Sequence, residues 1–416
     1  MMMMNEMKTK LNMEYRLFAV FSFCAFIVYA FYVNSFGTNA GIMMSFFRTT
    51  ESQQGFVITI QSIGGIITAI WLSLFGERYN KIRVIAACLS LLAAGSILIG
   101  TMPAWLSGSS GYFMLLIFVI LAGVGYTGID VMMNGVITET YPHNKNTLLP
   151  TAHAFFSSGA MLAPFFVTAI VDTSRPSSFA SPFLVIGIMT VIVFVAYSAA
   201  GRRIMPSTPY ADMEGMRKRV TGNPAEIFKS KKAWLILLAC VLYFSYQVGL
   251  SIWMPTYFLQ EKGFSYQWSG LIATIFFMGA LLMRFLSPII FKLMPINKFY
   301  IFSGLLSAIC MACAFITGSV PLIIVLVFAG GFFQGAMVIA LVIMSCNEFP
   351  TRTASASAIT VIAYNLAAMI VPLLIGAIAE ISGFSLPMFI LVSCLLCSIL
   401  VILLFMYTPN TAKDVI

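Results

Sequence analysis

The chain has 416 residues, of which 60% are hydrophobic and 9% charged, with a formal net charge of +9. A soluble domain needs about a quarter of its residues charged to face water, so lipid must be the solvent around most of this surface. In lipid every backbone polar group needs an internal partner, which leaves helices or a closed barrel; nucleic acid need not be invoked to explain the charge.

The apolar runs choose between the two. Leu116 to Gly123, Ala180 to Ala200 and Phe389 to Phe405 are continuous rather than alternating, which selects helices. Lys8, Lys10 and Arg16 precede the first run, near 15–42. It extends well beyond a signal-peptide core and reads as a first membrane helix. Further runs follow near 54–76, 83–102, 112–140, 149–172 and 180–200. A polar, basic segment then occupies 201–232, and six more runs lie near 233–259, 267–291, 298–317, 320–348, 354–380 and 385–407. Each is about 20 residues or longer, enough to cross a bilayer. The expected fold class is therefore an all-α membrane protein with twelve transmembrane helices in two six-helix, pseudo-symmetric bundles. Its parts are an N-terminal bundle (1–200), a cytoplasmic basic linker (201–232) and a C-terminal bundle (233–416).

Nineteen of the 23 lysines and arginines fall on the side shared by the termini and the linker, and only Arg48, Arg175 and Lys262 on the other, leaving Arg284 inside a helix. By the positive-inside rule the termini are cytoplasmic, and the expected location is the cell (plasma) membrane. All eight cysteines lie in apolar runs. The CxxC spacings at Cys310/Cys313 and Cys394/Cys397 fall mid-helix without nearby carboxylate or histidine, and read as packing residues rather than a metal site.

The halves repeat. Gly55, Thr59, Ile60 and Gly64 reappear as Gly270, Thr274, Ile275 and Gly279, and Ala122-Gly123…Gly128 as Ala329-Gly330…Gly335. Tyr141-Pro142, Met161, Pro164 and Asp172 answer Phe349-Pro350, Met369, Pro372 and Glu380 at one constant offset. A parallel repeat of this kind belongs to transporters, with the substrate at the interface between halves.

Charge inside a membrane is costly, so it survives where it works. Among the acids, Asp130 alone lies far from either helix end. Tyr126, Asp130 and Asn134 are spaced i, i+4, i+8 and share one helix face. A carboxyl placed there can load and release a proton as it is exposed to one side and then the other, so Asp130 is the candidate coupling residue. Arg284 is the deep cation; it either pairs with an acid across the interface as a gate or binds an anionic substrate. Polar stripes offer hydrogen bonds and aromatic faces for a neutral sugar or polyol: Asn34 and Thr38, His153 and Ser157, Tyr243, Gln247 and Ser251, with Gln334, Tyr364 and Asn365.

Six plus six helices, a basic central segment and an internal repeat resemble the major facilitator superfamily. The stretch Ser73-Leu74-Phe75-Gly76-Glu77-Arg78-Tyr79-Asn80-Lys81-Ile82-Arg83 is similar to its G-x-L-a-D-R-x-G-R-R/K signature. Here Glu77 stands for Asp, and Ser73 and Asn80 replace glycines. The resemblance implies that Glu77, Arg78, Lys81 and Arg83 gate the cycle by latching the inward-closed state. Asn134 with His153-Ala154-Phe155-Phe156…Gly159…Pro164 resembles the sugar-transporting branch that includes fucose–proton symporters. So does Tyr243…Gln247-Val248-Gly249…Trp253-Met254-Pro255…Tyr257, although that branch usually has Glu where Gln247 stands. It implies sugar–proton symport, with Trp253 joining the substrate-binding residues. The alternative is a drug–proton antiporter; the family's antiporter signature wants Gly-Pro and a Gly pair, whereas Ala163-Pro164 is followed by Phe165-Phe166-Val167-Thr168. No catalytic residues, metal or cofactor are expected. The expected partners are a small-molecule substrate, a proton or sodium as coupling ion, and the lipid bilayer, with the chain acting as a monomer.

Overall fold

The computed structural model describes residues 2–76, 79–106, 108–141, 144–208, 229–349 and 353–408. Glu77, Arg78 and most of the basic linker lie outside the described residues. The helices are α1 (Met2–Phe47), α2 (Glu51–Phe75), α3 (Lys81–Thr101), α4 (Gly108–Thr140), α5 (Lys145–Ile170), α6 (Ala180–Ile204) and α7 (Lys231–Gln260). They continue with α8 (Tyr266–Leu293), α9 (Ile296–Ile316), α10 (Val320–Gln334), α11 (Met337–Glu348), α12 (Thr353–Ser382) and α13 (Ser385–Tyr407). Among the described residues twelve spans are long and apolar enough to cross a membrane, α10 and α11 together making one of them. The last turns of α6 and the first of α7 reach into the segment expected to be linker.

Helix starts follow local chemistry. Thr50 and Gln53 form a capping box on α2, and Asn80, Ser230 and Ser265 accept hydrogen bonds from the first-turn amides of α3, α7 and α8. These side chains satisfy N–H groups that no preceding turn can reach. The surface is inverted relative to a soluble protein. Ile192, Phe285 and Leu404 are about 60% exposed, facing where lipid tails would lie, while Asn39, Gln61 and Gln334 are buried.

Helices α1–α6 pack on one another, as do α7–α13, and among the described residues the main contacts joining the two bundles are α2 with α12, α5 with α8, and α1 with α7. The chain ends share one membrane face, here the terminal face; the opposite one is the far face. The joints between bundles lie toward the far face and repeat each other. Gly55 on α2 sits against the backbone carbonyl of Pro372 on α12, and its repeat mate Gly270 on α8 sits against Thr168 and the carbonyl of Pro164 on α5. Pro164 and Pro372 are themselves repeat mates. Glycine at both places lets helix backbones touch where any side chain would hold them apart.

The repeat also diverges. Glu380 reaches across the joint to accept hydrogen bonds from the Ser52 amide (2.8 Å) and hydroxyl (2.7 Å). Its mate Asp172 stays in its own loop, where hydrogen bonds from Ser174 hold its carboxyl below the usual carboxylate range. On the terminal face the ion pairs Lys81–Glu139 (2.6 Å) and Lys232–Glu348 (3.1 Å) each stay within one bundle.

Where the sequence reads as one continuous helix over 320–348, the structure breaks it. α10 ends at Gln334 and α11 begins at Met337. The Gly335 amide turns back to Phe332 (3.2 Å), Gly335 abuts the Ala280 backbone, and its carbonyl is taken by Arg284 Nε (2.9 Å). A charged donor from α8 thus replaces the helical partner that the carbonyl loses.

Candidate functional site

Between the bundles lies a cavity of about 80 Å³. Its wall is drawn symmetrically from both halves: α1, α2, α4 and α5 on one side, α7, α8, α10 and α12 on the other. These are the faces left over when the Gly–Pro joints bring the bundles together toward the far face.

Of the candidate residues, Asn34, Tyr126, Gln247, Gln334 and Arg284 are on this wall. Asn34 anchors its amide on the Ala30 carbonyl (2.9 Å), and its Oδ1 accepts from the Ser251 hydroxyl of the opposite bundle (3.2 Å). Tyr126 is stacked on Tyr29 with centroids 5.3 Å apart. Gln334 is fully buried; its Oε1 accepts from the Tyr243 hydroxyl (2.9 Å), so Tyr243 orients a wall residue from behind. Arg284 Nη1 donates to the Ser157 hydroxyl, joining α8 to α5 across the cavity.

Other candidates lie off the wall. Thr38 is buried one turn beyond Asn34 toward the far face. Trp253 is fully buried and donates to the Pro372 carbonyl (3.2 Å), so it braces the joint. Asn365 bonds to its own helix at Val361 (2.9 Å), while its neighbour Tyr364 supplies the wall. His153 is exposed one turn from Ser157 toward the terminal face, its ring against Phe26. Asp130 and Asn134 descend from Tyr126 along the same face of α4, half-buried, with Asn134 Nδ2 bonded to the Asp130 carbonyl (3.1 Å). Asp130 lies within electrostatic reach of Tyr29, Tyr126 and Tyr364, and no cation among the described residues forms an ion pair with it. Of the candidate latch, Lys81 pairs with Glu139 of its own bundle, and the Arg83 amide caps onto Asn80.

Gln61 and Ser62 of α2 are wall residues that sequence reasoning missed. An adjacent amide and hydroxyl in the middle of an apolar run, just before Gly64-Gly65, was the available signal. Gln61 Oε1, Ser62 Oγ and Gln334 Nε2 are buried without a hydrogen bond of good geometry, Gln61 and Ser62 lying beside the Tyr126 hydroxyl, and all three residues face the cavity. An unpaired buried polar atom costs about 1–3 kcal/mol, so groups left this way around a cavity are built to meet water or a ligand.

The family model described as Major Facilitator Superfamily matches residues 21–299 and again 269–415. The uncharacterized MFS-type transporter YfkL of Bacillus subtilis (strain 168) is 21% identical over 359 residues, covering 83% of this chain and 85% of that protein. Two solved structures superpose on nearly the whole molecule. One is a bacterial homolog of the human lysosomal transporter Spinster, inward-facing and unoccupied (TM-score 0.77, 14% identity, 97% of this chain and 98% of that one). The other is a D-xylose–proton symporter (TM-score 0.76, 17% identity, 96% and 98%). At such identities the likeness establishes the fold alone.

Proposed function

The chain is a multi-pass membrane transporter of the major facilitator superfamily, and on that premise we propose that it moves a small, hydroxylated solute by proton-coupled symport. The cavity shared by both bundles carries this reading, with the buried atoms Gln61 Oε1, Ser62 Oγ and Gln334 Nε2 left without a hydrogen bond on its wall. Amides, hydroxyls and phenols at fixed positions suit a sugar- or polyol-like molecule. Closure at the Gly–Pro joints leaves access from the terminal face, and rocking of one bundle against the other would alternate it. The positive-inside bias puts the terminal face in the cytoplasm of the cell membrane. A cysteine at Lys262 that labels only from inside sealed cells would refute that orientation. The fold needs no second subunit to complete the cavity, and the working unit is a monomer.

Asp130 is the proton carrier in this reading. It stands on α4 between the cavity and the terminal face, with no ion-pair partner among the described residues, so its charge is free to change during the cycle. Drug–proton exchange fits less well, because the one charged residue on the wall among those described is Arg284, which repels cationic drugs. The test is Asp130→Asn in proteoliposomes. Uphill, pH-driven accumulation should vanish while solute exchange continues. Accumulation with normal pH dependence would make Asp130 structural and move coupling to another residue or to sodium.

A further inference from the structure

We propose that the solute also bears a single carboxylate, gripped by Arg284, so that the substrate class is a small hydroxy acid rather than a neutral polyol. The inference rests on the transport reading above and narrows it.

Among the described residues Arg284 is the only charged side chain on the cavity wall, and no carboxylate among them forms an ion pair with it. Among the described residues it makes two hydrogen bonds: Nε to the Gly335 carbonyl (2.9 Å) and Nη1 to the Ser157 hydroxyl. A guanidinium has five N–H donors. The remaining three include one on each terminal nitrogen, the parallel pair that holds a carboxylate with two hydrogen bonds. The two contacts also fix the plane of the group, so little side-chain freedom is lost on binding.

The neighbours of Arg284 extend the same chemistry. Gln334 precedes the glycine whose carbonyl Arg284 holds, and its buried Nε2 is an unpartnered donor on the wall. The Tyr243 hydroxyl occupies the Gln334 oxygen, so the amide turns its NH₂ away from that bond. Arg284 and Gln334 thus give the second bundle's wall a donor-rich, positive patch. Across the cavity, α2 offers an amide oxygen from Gln61 and a hydroxyl from Ser62, which suit the hydroxyl groups of the same molecule. One fixed positive charge balances a monoanion; a dianion would leave net negative charge in a low-dielectric enclosure.

The test measures binding to the purified full-length protein by titration calorimetry, using matched probes: glycerate and gluconate, the neutral glycerol and glucitol, and glycerol phosphate. A carboxylate should bind at least about tenfold more tightly than its matched polyol and than the phosphate. Arg284→Gln should abolish that preference. Arg284→Lys, which keeps the charge but loses the fork, should retain part of it, and serves as the deciding variant if Arg284→Gln does not elute as a single species. Equal affinity for polyol and carboxylate, preference for the phosphate, no binding across the panel, or undiminished carboxylate binding by the deciding variant would each overturn the proposal. Flux measurements separate it from the reading it rests on. Glucitol-driven proton uptake without carboxylate binding would keep the transporter and remove the hydroxy acid. Carboxylate binding without flux of any probe would do the reverse.

Discussion

Adding one methyl group at Gly55 tests how the far face closes. A Cβ built there meets the Pro372 carbonyl oxygen, its carbonyl carbon at 2.6 Å and Leu373 Cα at 2.9 Å. Ordinary carbon contacts are about 3.5–4 Å, and these are backbone atoms of a packed helix that cannot swing aside. α2 and α12 must therefore part by about 1 Å, at a cost of about 1–3 kcal/mol by analogy with overpacked cores. The cost falls only on the far-closed state, because the joint does not exist when the far face is open. At 1.4 kcal/mol per decade, Gly55→Ala should shift the equilibrium toward far-open by about 5- to 150-fold. Spin labels at Ser174 and Gly318, in far-face loops of opposite bundles, would report it as a growing long-distance population once the native cysteines are replaced. Gly270→Ala should shift the same way by less, since its nearest obstacle is the Thr168 side chain rather than backbone. Unchanged distance distributions for Gly55→Ala would refute the idea that this glycine sets the closure.

Two further outcomes follow from the packing. The Lys232–Glu348 pair has side chains only 7% and 10% exposed, so Lys232→Met alone should lose about 3–5 kcal/mol by stranding the carboxylate. The double change with Glu348→Met should recover most of it; thermal unfolding in detergent measures both, and equal losses would show that packing of the lysine stem matters more than charge. Tyr243→Phe removes the bond that orients Gln334 and should weaken solute binding by about 1 kcal/mol, near fivefold, with the fold intact. Unchanged affinity would mean that Gln334 is held by the wall itself.

Much of the fold was legible because lipid imposes a local rule. Every span must be continuous, apolar and about 20 residues long, so twelve could be counted, and the repeat and the charge bias could be read from residue order alone. The site was legible in part, for the same reason. A polar residue in the middle of a span stands out, and Asn34, Tyr126, Gln247, Gln334 and Arg284 do line the cavity. Gln61 and Ser62 carried no charge and lay outside the stripes considered, so they passed as helix–helix glue.

What residue order could not decide is how each helix is rotated about its axis and where its backbone is interrupted. Trp253 and Thr38 lie on spans that reach the cavity yet face the joint or the bundle interior, and Asp130 is on the face of α4 that contains Tyr126 but below the wall. The break at Gly335 depends on Arg284, some fifty residues earlier, arriving at its carbonyl. Periodicity along one helix says which residues share a face. Only the close approach of Gly55 to Pro372 and of Gly270 to Pro164 determines which faces meet and which are left apart to form a cavity, because backbone contact between distant segments sets those rotations.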